Sequence, residues 1–163
     1  MPPLDSFSVA LLHSRCSLSV TKKRNRKTAA ELNVRAKSME AVLDLYNSVR
    51  SNFPDIAAKA DREHIRYWGE LDPEFAYSWF QSLANALNVE MRKGTSYENY
   101  SKLFTFISNS LVNCTKEIYI CIDVSFTENL FWQVPGEKAA PYWQALPEPI
   151  KELYLGFHRR APL

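Results

Sequence analysis

The sequence predicts an all-α protein, an irregular bundle of about five or six helices that follows a disordered basic N-terminal arm. Three observations lead to this prediction. Apolar side chains recur at three- and four-residue spacing along much of the chain, which is the period of a helix with one buried face. Prolines, acids and hydroxyl residues stand where such stretches begin. Glycine occurs 4 times in 163 residues, which is few for the tight turns of a large sheet.

Charge divides the chain into two parts. Residues 1–38 carry eight lysines and arginines against Asp5 and Glu31, a net charge of +6, whereas residues 39–163 carry a net charge of −4. Because blocks of like charge are usually solvated and unstructured, the first part is predicted to be a disordered basic arm or sequence upstream of the true start codon. Residues 39–160 are predicted to form a single helical domain, which is long enough to bury one core.

Helical patterns account for most of this domain. The predicted helices cover residues 39–51, 54–68, 72–91, 95–113 and 149–158. Residues 115–132 have two interpretations, since the run from Ile118 to Val124 has high strand propensity. A central helix is favoured there because the apolar pattern is too long for an average strand and no partner strand is visible in the sequence. Tyr142 and Trp143 are predicted to dock as a short turn.

No catalytic or metal-binding motif emerges from the sequence. It contains no nucleophile elbow, no zinc-protease motif and no phosphate loop, and its three histidines are widely separated. We therefore predict that the chain is not an enzyme and uses no cofactor or metal. The odd number of cysteines without C-x-x-C spacing favours a reducing cytoplasm, and no apolar run is long enough to span a bilayer.

An acid-rich stretch interleaved with aromatic residues is the best candidate for a partner-binding surface. Aromatic side chains within a charged rim have the composition of interface hot spots. The candidate partner-binding residues are Asp61, Glu63, Tyr67, Trp68, Glu70, Asp72, Glu74 and Tyr77. Two other interpretations of the same stretch stay open. In one interpretation, Trp68 and Trp79 are core residues beneath a solvated rim. In the other, the acids of residues 61–74 act in an enzyme as an acid–base pair or as metal ligands.

Several short motifs follow one another along the domain in a particular order. They include Phe53-Pro54-Asp55-Ile56, Tyr67-Trp68-Gly69-Glu70, Leu103-Phe104-Thr105-Phe106-Ile107 and Leu146-Pro147-Glu148-Pro149. Over about residues 45–158 this order resembles a family of small helical bacterial proteins, some of which look like immunity proteins encoded beside secreted toxins. The resemblance implies a protein that binds and neutralises a cognate toxin and needs no active site. An acidic inhibitor suits a basic toxin.

The basic residues of the arm indicate an alternative function for the chain. They are typical of a nucleic-acid-binding patch, which would make the chain a nucleic-acid-binding regulator. The run consists of Lys22, Lys23, Arg24, Arg26 and Lys27. Deletion of the arm separates the two functions, because a regulator would lose salt-dependent binding to DNA and an immunity protein would be unaffected.

Overall fold

The structure is a computed structural model and describes residues 28–163. Within these residues the protein has seven α-helices and no strand, so the predicted all-α fold is confirmed. The α-helices are α1 (Ala29–Asn52), α2 (Pro54–Trp68), α3 (Ala76–Lys93), α4 (Ser101–Asn109), α5 (Lys116–Ile120), α6 (Gly136–Ala145) and α7 (Glu148–His158). The basic run at residues 22–27 lies outside the described residues, so its predicted role stays a prediction.

Helix α1 begins at Ala29, earlier than the start predicted at residue 39. A capping box explains the difference: the Thr28 side chain accepts a hydrogen bond from the Glu31 backbone, and the Glu31 carboxylate accepts one from the Thr28 backbone. Residues 29–38, which the sequence assigned to the arm, therefore belong to this helix. Their apolar side chains, such as Leu32 and Val34, are exposed, so no buried stripe marked this part of the helix in the sequence.

Helix α3 is the centre of the core. It packs most extensively against α2 and also contacts α1, α6 and the segment after α5. Five large side chains of α3 are fully buried: Trp79, Phe80, Leu83, Leu87 and Met91. Each such burial contributes about 1.5–3 kcal/mol to folding. Asp72 accepts a hydrogen bond from the Glu74 backbone and so caps the 3₁₀ turn Pro73–Phe75, which precedes α3.

Within residues 115–132 the structure is helical over residues 116–129, as favoured over the strand interpretation, and residues 130–132 form a turn. Helix α5 continues into a π-helical segment, Cys121–Phe126, and a 3₁₀ turn, Thr127–Asn129. The π-helical segment buries Cys121, Ile122 and Phe126 against α3 and α7. The Asn129 side chain donates hydrogen bonds to the carbonyl groups of residues 124 and 125, which closes the end of the segment.

Helix α6 replaces the short turn predicted around Tyr142. Pro141 lies inside this helix, where proline removes a backbone hydrogen bond and usually ends a helix. Packing prevails here because Tyr142 is buried and its hydroxyl donates a hydrogen bond of 2.9 Å to the Thr95 carbonyl. Within residues 28–163 no helix combines the length and apolar character needed to cross a membrane.

Candidate partner-binding site

A pocket of about 470 Å³ opens between the end of α2, one face of α3 and the turn after the Thr127–Asn129 segment. Three large aromatic side chains around it are exposed: Tyr67 by 63%, Trp68 by 54% and Trp132 by 63%. The residues that line this aromatic pocket are Tyr67, Trp68, Gln81, Ser82, Asn85, Asn129 and Trp132. It therefore combines aromatic walls with uncharged polar groups.

The two aromatic residues of α2 lie in its last turn. The opposite face of the helix is fixed in the core by Ile56, Ala57 and Ala60. Gly69 ends the helix with φ of +84°, a left-handed conformation that glycine adopts at low cost. The chain thus turns away immediately after Trp68 and leaves both rings facing solvent.

The turn that carries Trp132 is held by buried Asn88 of α3. The Asn88 side chain donates to the Asn129 carbonyl at 2.8 Å and accepts from the Phe131 backbone N–H at 2.7 Å. Phe131 and Gln133 have positive φ angles, +63° and +54°. Such angles at bulky residues cost about 1–3 kcal/mol each and persist where surrounding contacts over-determine them. These contacts therefore fix the backbone of the turn that carries Trp132.

His64 lies directly behind the pocket. It is fully buried and its ring stacks on Trp68 at a centroid distance of 6.2 Å. Its Nδ1 lies 3.2 Å from Ser82 Oγ, and the Ser82 hydroxyl donates to the Ser78 carbonyl. With the Ser82 proton used in this way, we assign the His64 proton to Nδ1, which leaves Nε2 as an acceptor with no partner in the described structure. Burial lowers the pKa of His64 and favours this neutral form.

Two of the eight predicted residues bond to other helices. The Asp61 carboxylate accepts a hydrogen bond of 2.7 Å from Trp79 Nε1 and forms an ion pair with Arg50. The Tyr77 hydroxyl donates to the Glu117 carbonyl at 3.3 Å. These two side chains connect α2 and α3 to neighbouring helices, so each of them contributes to the stability of the fold.

The eight predicted residues are divided among separate places on the protein. Tyr67 and Trp68 line the aromatic pocket, whereas Glu74 and Tyr77 line a second, more apolar groove of about 750 Å³ beside α1. The remaining acids are Glu63, which pairs with Arg66 at 3.9 Å, the exposed Glu70, and the helix-capping Asp72. The predicted acidic cluster is therefore dispersed, and its aromatic pair is the part that belongs to a pocket.

Sequence reasoning missed five of the pocket residues. Gln81, Ser82 and Asn85 had a detectable signal, because their spacing places them on one polar patch of an otherwise apolar helix. Asn129 and Trp132 had no such signal in the sequence. Their position beside α2 depends on the contacts of Asn88, which is 43 residues from Phe131 in the chain.

A second cluster of ionisable groups lies where α7 meets the end of the π-helical segment. Burial raises the pKa of Glu128, Asp123 raises it further, and His158 opposes the shift. His158 Nε2 is 3.0 Å from the Glu128 carbonyl oxygen, so the histidine also fastens α7 to this segment. Among residues 28–163 no group of three or more His, Cys, Asp and Glu side chains is arranged to hold a metal ion.

Comparison with known families identifies the domain. Residues 46–160 match the family described as a domain of unknown function (DUF7674), and the chain belongs to this family. The matched region contains every residue of the aromatic pocket. Neither a curated protein nor a solved structure matches the chain.

Proposed function

We propose that this chain is a protein-binding module that acts without catalysis. In its more specific form, we propose an immunity protein that binds and neutralises a cognate toxin in the bacterial cytoplasm. The observation that carries the proposal is the aromatic pocket, where Tyr67, Trp68 and Trp132 are each more than half exposed. Tryptophan and tyrosine are the residues that most often dominate the free energy of protein association.

The backbone contacts around the pocket support this function. Trp68 sits at a glycine-terminated helix end, and Trp132 sits on a turn fixed by Asn88. A backbone that is already held in its binding conformation loses less conformational entropy when a partner docks. A contiguous group of exposed aromatic side chains is also characteristic of interaction surfaces in monomeric proteins.

Charge supports a basic partner. Residues 28–163 contain 17 aspartates and glutamates against 14 lysines and arginines, so this part of the chain has a formal net charge of −3. An acidic body attracts basic proteins and accelerates their association at low ionic strength. Many toxins that act on nucleic acids are basic, because they bind a phosphate backbone.

Co-expression tests the proposal. The tagged full-length chain is expressed with the product of the adjacent upstream gene, and the complex and the growth of the host are followed together. We expect a stable complex and restored growth with the native chain. Replacing Trp132 with alanine should weaken both, whereas Phe157→Ala, at another exposed aromatic residue, should leave both intact. Absence of both complex and rescue with the native chain contradicts the immunity function.

A further inference from the structure

The first part of α1 carries exposed side chains at every position. Residues 29–37 are all exposed, and they include large apolar side chains such as Leu32, which is 54% exposed. A helical segment of this length gains little stability from its own hydrogen bonds, because most helices in proteins are stabilised by the packing of an apolar face. The apolar face of this segment therefore indicates a surface that packs against another helix.

Four apolar residues form one row along this face. Leu32, Ala36, Met39 and Leu43 follow one another at spacings of four, three and four residues, which is the spacing of a coiled-coil seam. The first three are exposed and Leu43 is half-buried. The row, which we call the α1 seam, extends over about 16 Å of helix. Val34 is also exposed, by 67%, but it lies on the opposite side of the helix.

An apolar groove runs beside the second half of the α1 seam. It is the groove of about 750 Å³ described above, in which Met39 and Leu43 form one wall. Pro73 and Tyr77, at the start of α3, form part of the other wall. A helix laid along the α1 seam would therefore contact both α1 and the start of α3.

The α1 seam is closed beyond Leu43. The next residue at this spacing is Tyr46, which is 4% exposed and packs edge-on against Trp79 at a centroid distance of 4.9 Å. A second helix can thus lie along residues 29–43 and no further. A second α1 in the same direction would bring its own body against this closed end. In the opposite direction, it would present its exposed first part to the groove.

Charge also favours the opposite direction. Residues 29–37 carry Arg35 and Lys37 against Glu31, a net charge of +1. The groove is lined by two acids, Glu40 and Glu74, and by Arg35 at its amino-terminal end. An antiparallel pair of α1 helices would place the basic segment of each copy in the acidic groove of the other, which favours association of two copies.

We propose that α1 pairs with α1 of a second copy of this chain in an antiparallel, two-fold dimer. With Leu32 of each copy against Leu43 of the other, Met39 of each copy meets Ala36, so that a large side chain faces a small one. Arg35 of each copy then lies at the level of Glu74 in the other. The same surface serves both copies, as a two-fold interface requires. This self-association is separate from the proposed function, because none of these residues lines the aromatic pocket.

Sedimentation equilibrium of the full-length chain tests the dimer. We expect the native protein to dimerise at micromolar concentration. Leu32→Glu should raise the dimer Kd at least about a hundredfold, because it buries a carboxylate in an apolar seam. Val34→Glu adds the same charge to the opposite side of the helix and should dimerise like the native protein. Circular dichroism verifies that both variants are folded, as expected from the exposure of both side chains.

Two results would overturn the inference. One is a native chain that remains monomeric up to about 200 µM, a concentration far above a micromolar Kd. The α1 seam would then belong to another occupant, such as residues 1–27 of the same chain. The other is a Leu32→Glu variant that dimerises as tightly as the Val34→Glu control.

A mixing experiment tests the antiparallel arrangement. Glu74→Arg and Arg35→Glu each place like charges opposite one another in a dimer of identical copies, and each should weaken dimerisation about tenfold. An equimolar mixture of the two variants should restore it, because every contact between the two copies then joins opposite charges. An ion pair within one chain cannot produce this rescue, since each variant keeps its own like charges. Absence of rescue would contradict the antiparallel dimer.

Discussion

The backbone N–H of Phe131 donates a 2.7 Å hydrogen bond to the side-chain oxygen of Asn88, which is 1% exposed. The same side chain donates to the Asn129 carbonyl, so one buried amide holds both sides of the turn before Trp132. This relationship connects the core helix α3 to the most exposed tryptophan of the pocket. It makes the position of Trp132 dependent on a residue that does not line the pocket.

Replacing Asn88 with leucine should therefore destabilise both the protein and the turn. The substitution leaves the Phe131 N–H and the Asn129 carbonyl without their partner, which costs about 1–3 kcal/mol for each group that stays buried. Urea denaturation measures the loss of stability, and the indole signal of Trp132 reports on the turn. Asn85→Ala, a half-buried amide one turn earlier on α3, serves as the control and should change stability by about 0.5 kcal/mol or less. Equal stability of the two variants would contradict this account of the turn.

Asp61 should contribute to stability through Trp79. Its carboxylate receives the only N–H of the fully buried Trp79 indole, at 2.7 Å, and also pairs with Arg50. Asp61→Ala leaves that N–H unpaired and should lower the free energy of unfolding by about 1–3 kcal/mol. Glu70→Ala, at an exposed acid of the same predicted cluster, should change it by about 0.5 kcal/mol or less. Thermal unfolding of both variants would distinguish a structural acid from a surface acid.

Glu90 should make the protein sensitive to strong acid. Burial alone would raise the pKa of Glu90, but hydrogen bonds from Lys59, Lys93, Tyr100 and Thr95 outweigh that effect and lower its pKa to about 2. Because the pKa in the folded state is depressed below the usual 4.5, the stabilising contribution is present above pH 4.5 and is lost as the pH falls towards about 2.

The variant Glu90→Gln tests this pH dependence. Loss of a charged hydrogen-bond partner should cost about 1.5–3 kcal/mol at neutral pH. The variant's denaturation midpoint should also change less between pH 4.5 and pH 2 than that of the native protein. A native profile with the same slope as the variant over this range would be inconsistent with a low pKa for Glu90.

His64 should make the stability of the protein depend on pH in a less acidic range than Glu90 does. Burial lowers its pKa below the ordinary 6.5, so the unfolded chain binds a proton more readily than the folded protein. Stability should consequently begin to fall as the pH drops below 6.5, and His64→Gln should remove this part of the slope. Unfolding curves recorded between pH 7.5 and pH 5 measure it. An identical slope in the variant would indicate that His64 is accessible to protonation in the folded state.

Much of the fold was predictable because helices leave local signals. The apolar stripes of α1 and α3 and the Asp72-Pro73 pair identified helical segments directly. Helix α6 was missed because Pro141 is a local signal against a helix, whereas the buried packing of Tyr142 is a tertiary effect. The start of α1 was missed because its apolar side chains remain exposed.

The site was less predictable than the fold. Tyr67 and Trp68 were identified because they lie in a stretch rich in acidic and aromatic residues, and both line the pocket. The exposed state of Trp68 and the buried state of Trp79 were not separable from spacing alone, since both follow acidic residues on neighbouring helices. The contribution of Trp132 depends on contacts far apart in the chain, which no pattern in a single sequence encodes.

We propose that the aromatic pocket is the surface that binds the partner protein. The most direct test is calorimetric titration of the adjacent upstream gene product into the native chain, the Trp132→Ala variant and the Phe157→Ala variant. We predict tight binding by the native chain and by Phe157→Ala. For Trp132→Ala we predict a loss of at least about 2 kcal/mol, as expected for a hot-spot residue. Equal binding by all three proteins, or no binding by the native chain, would contradict the claim.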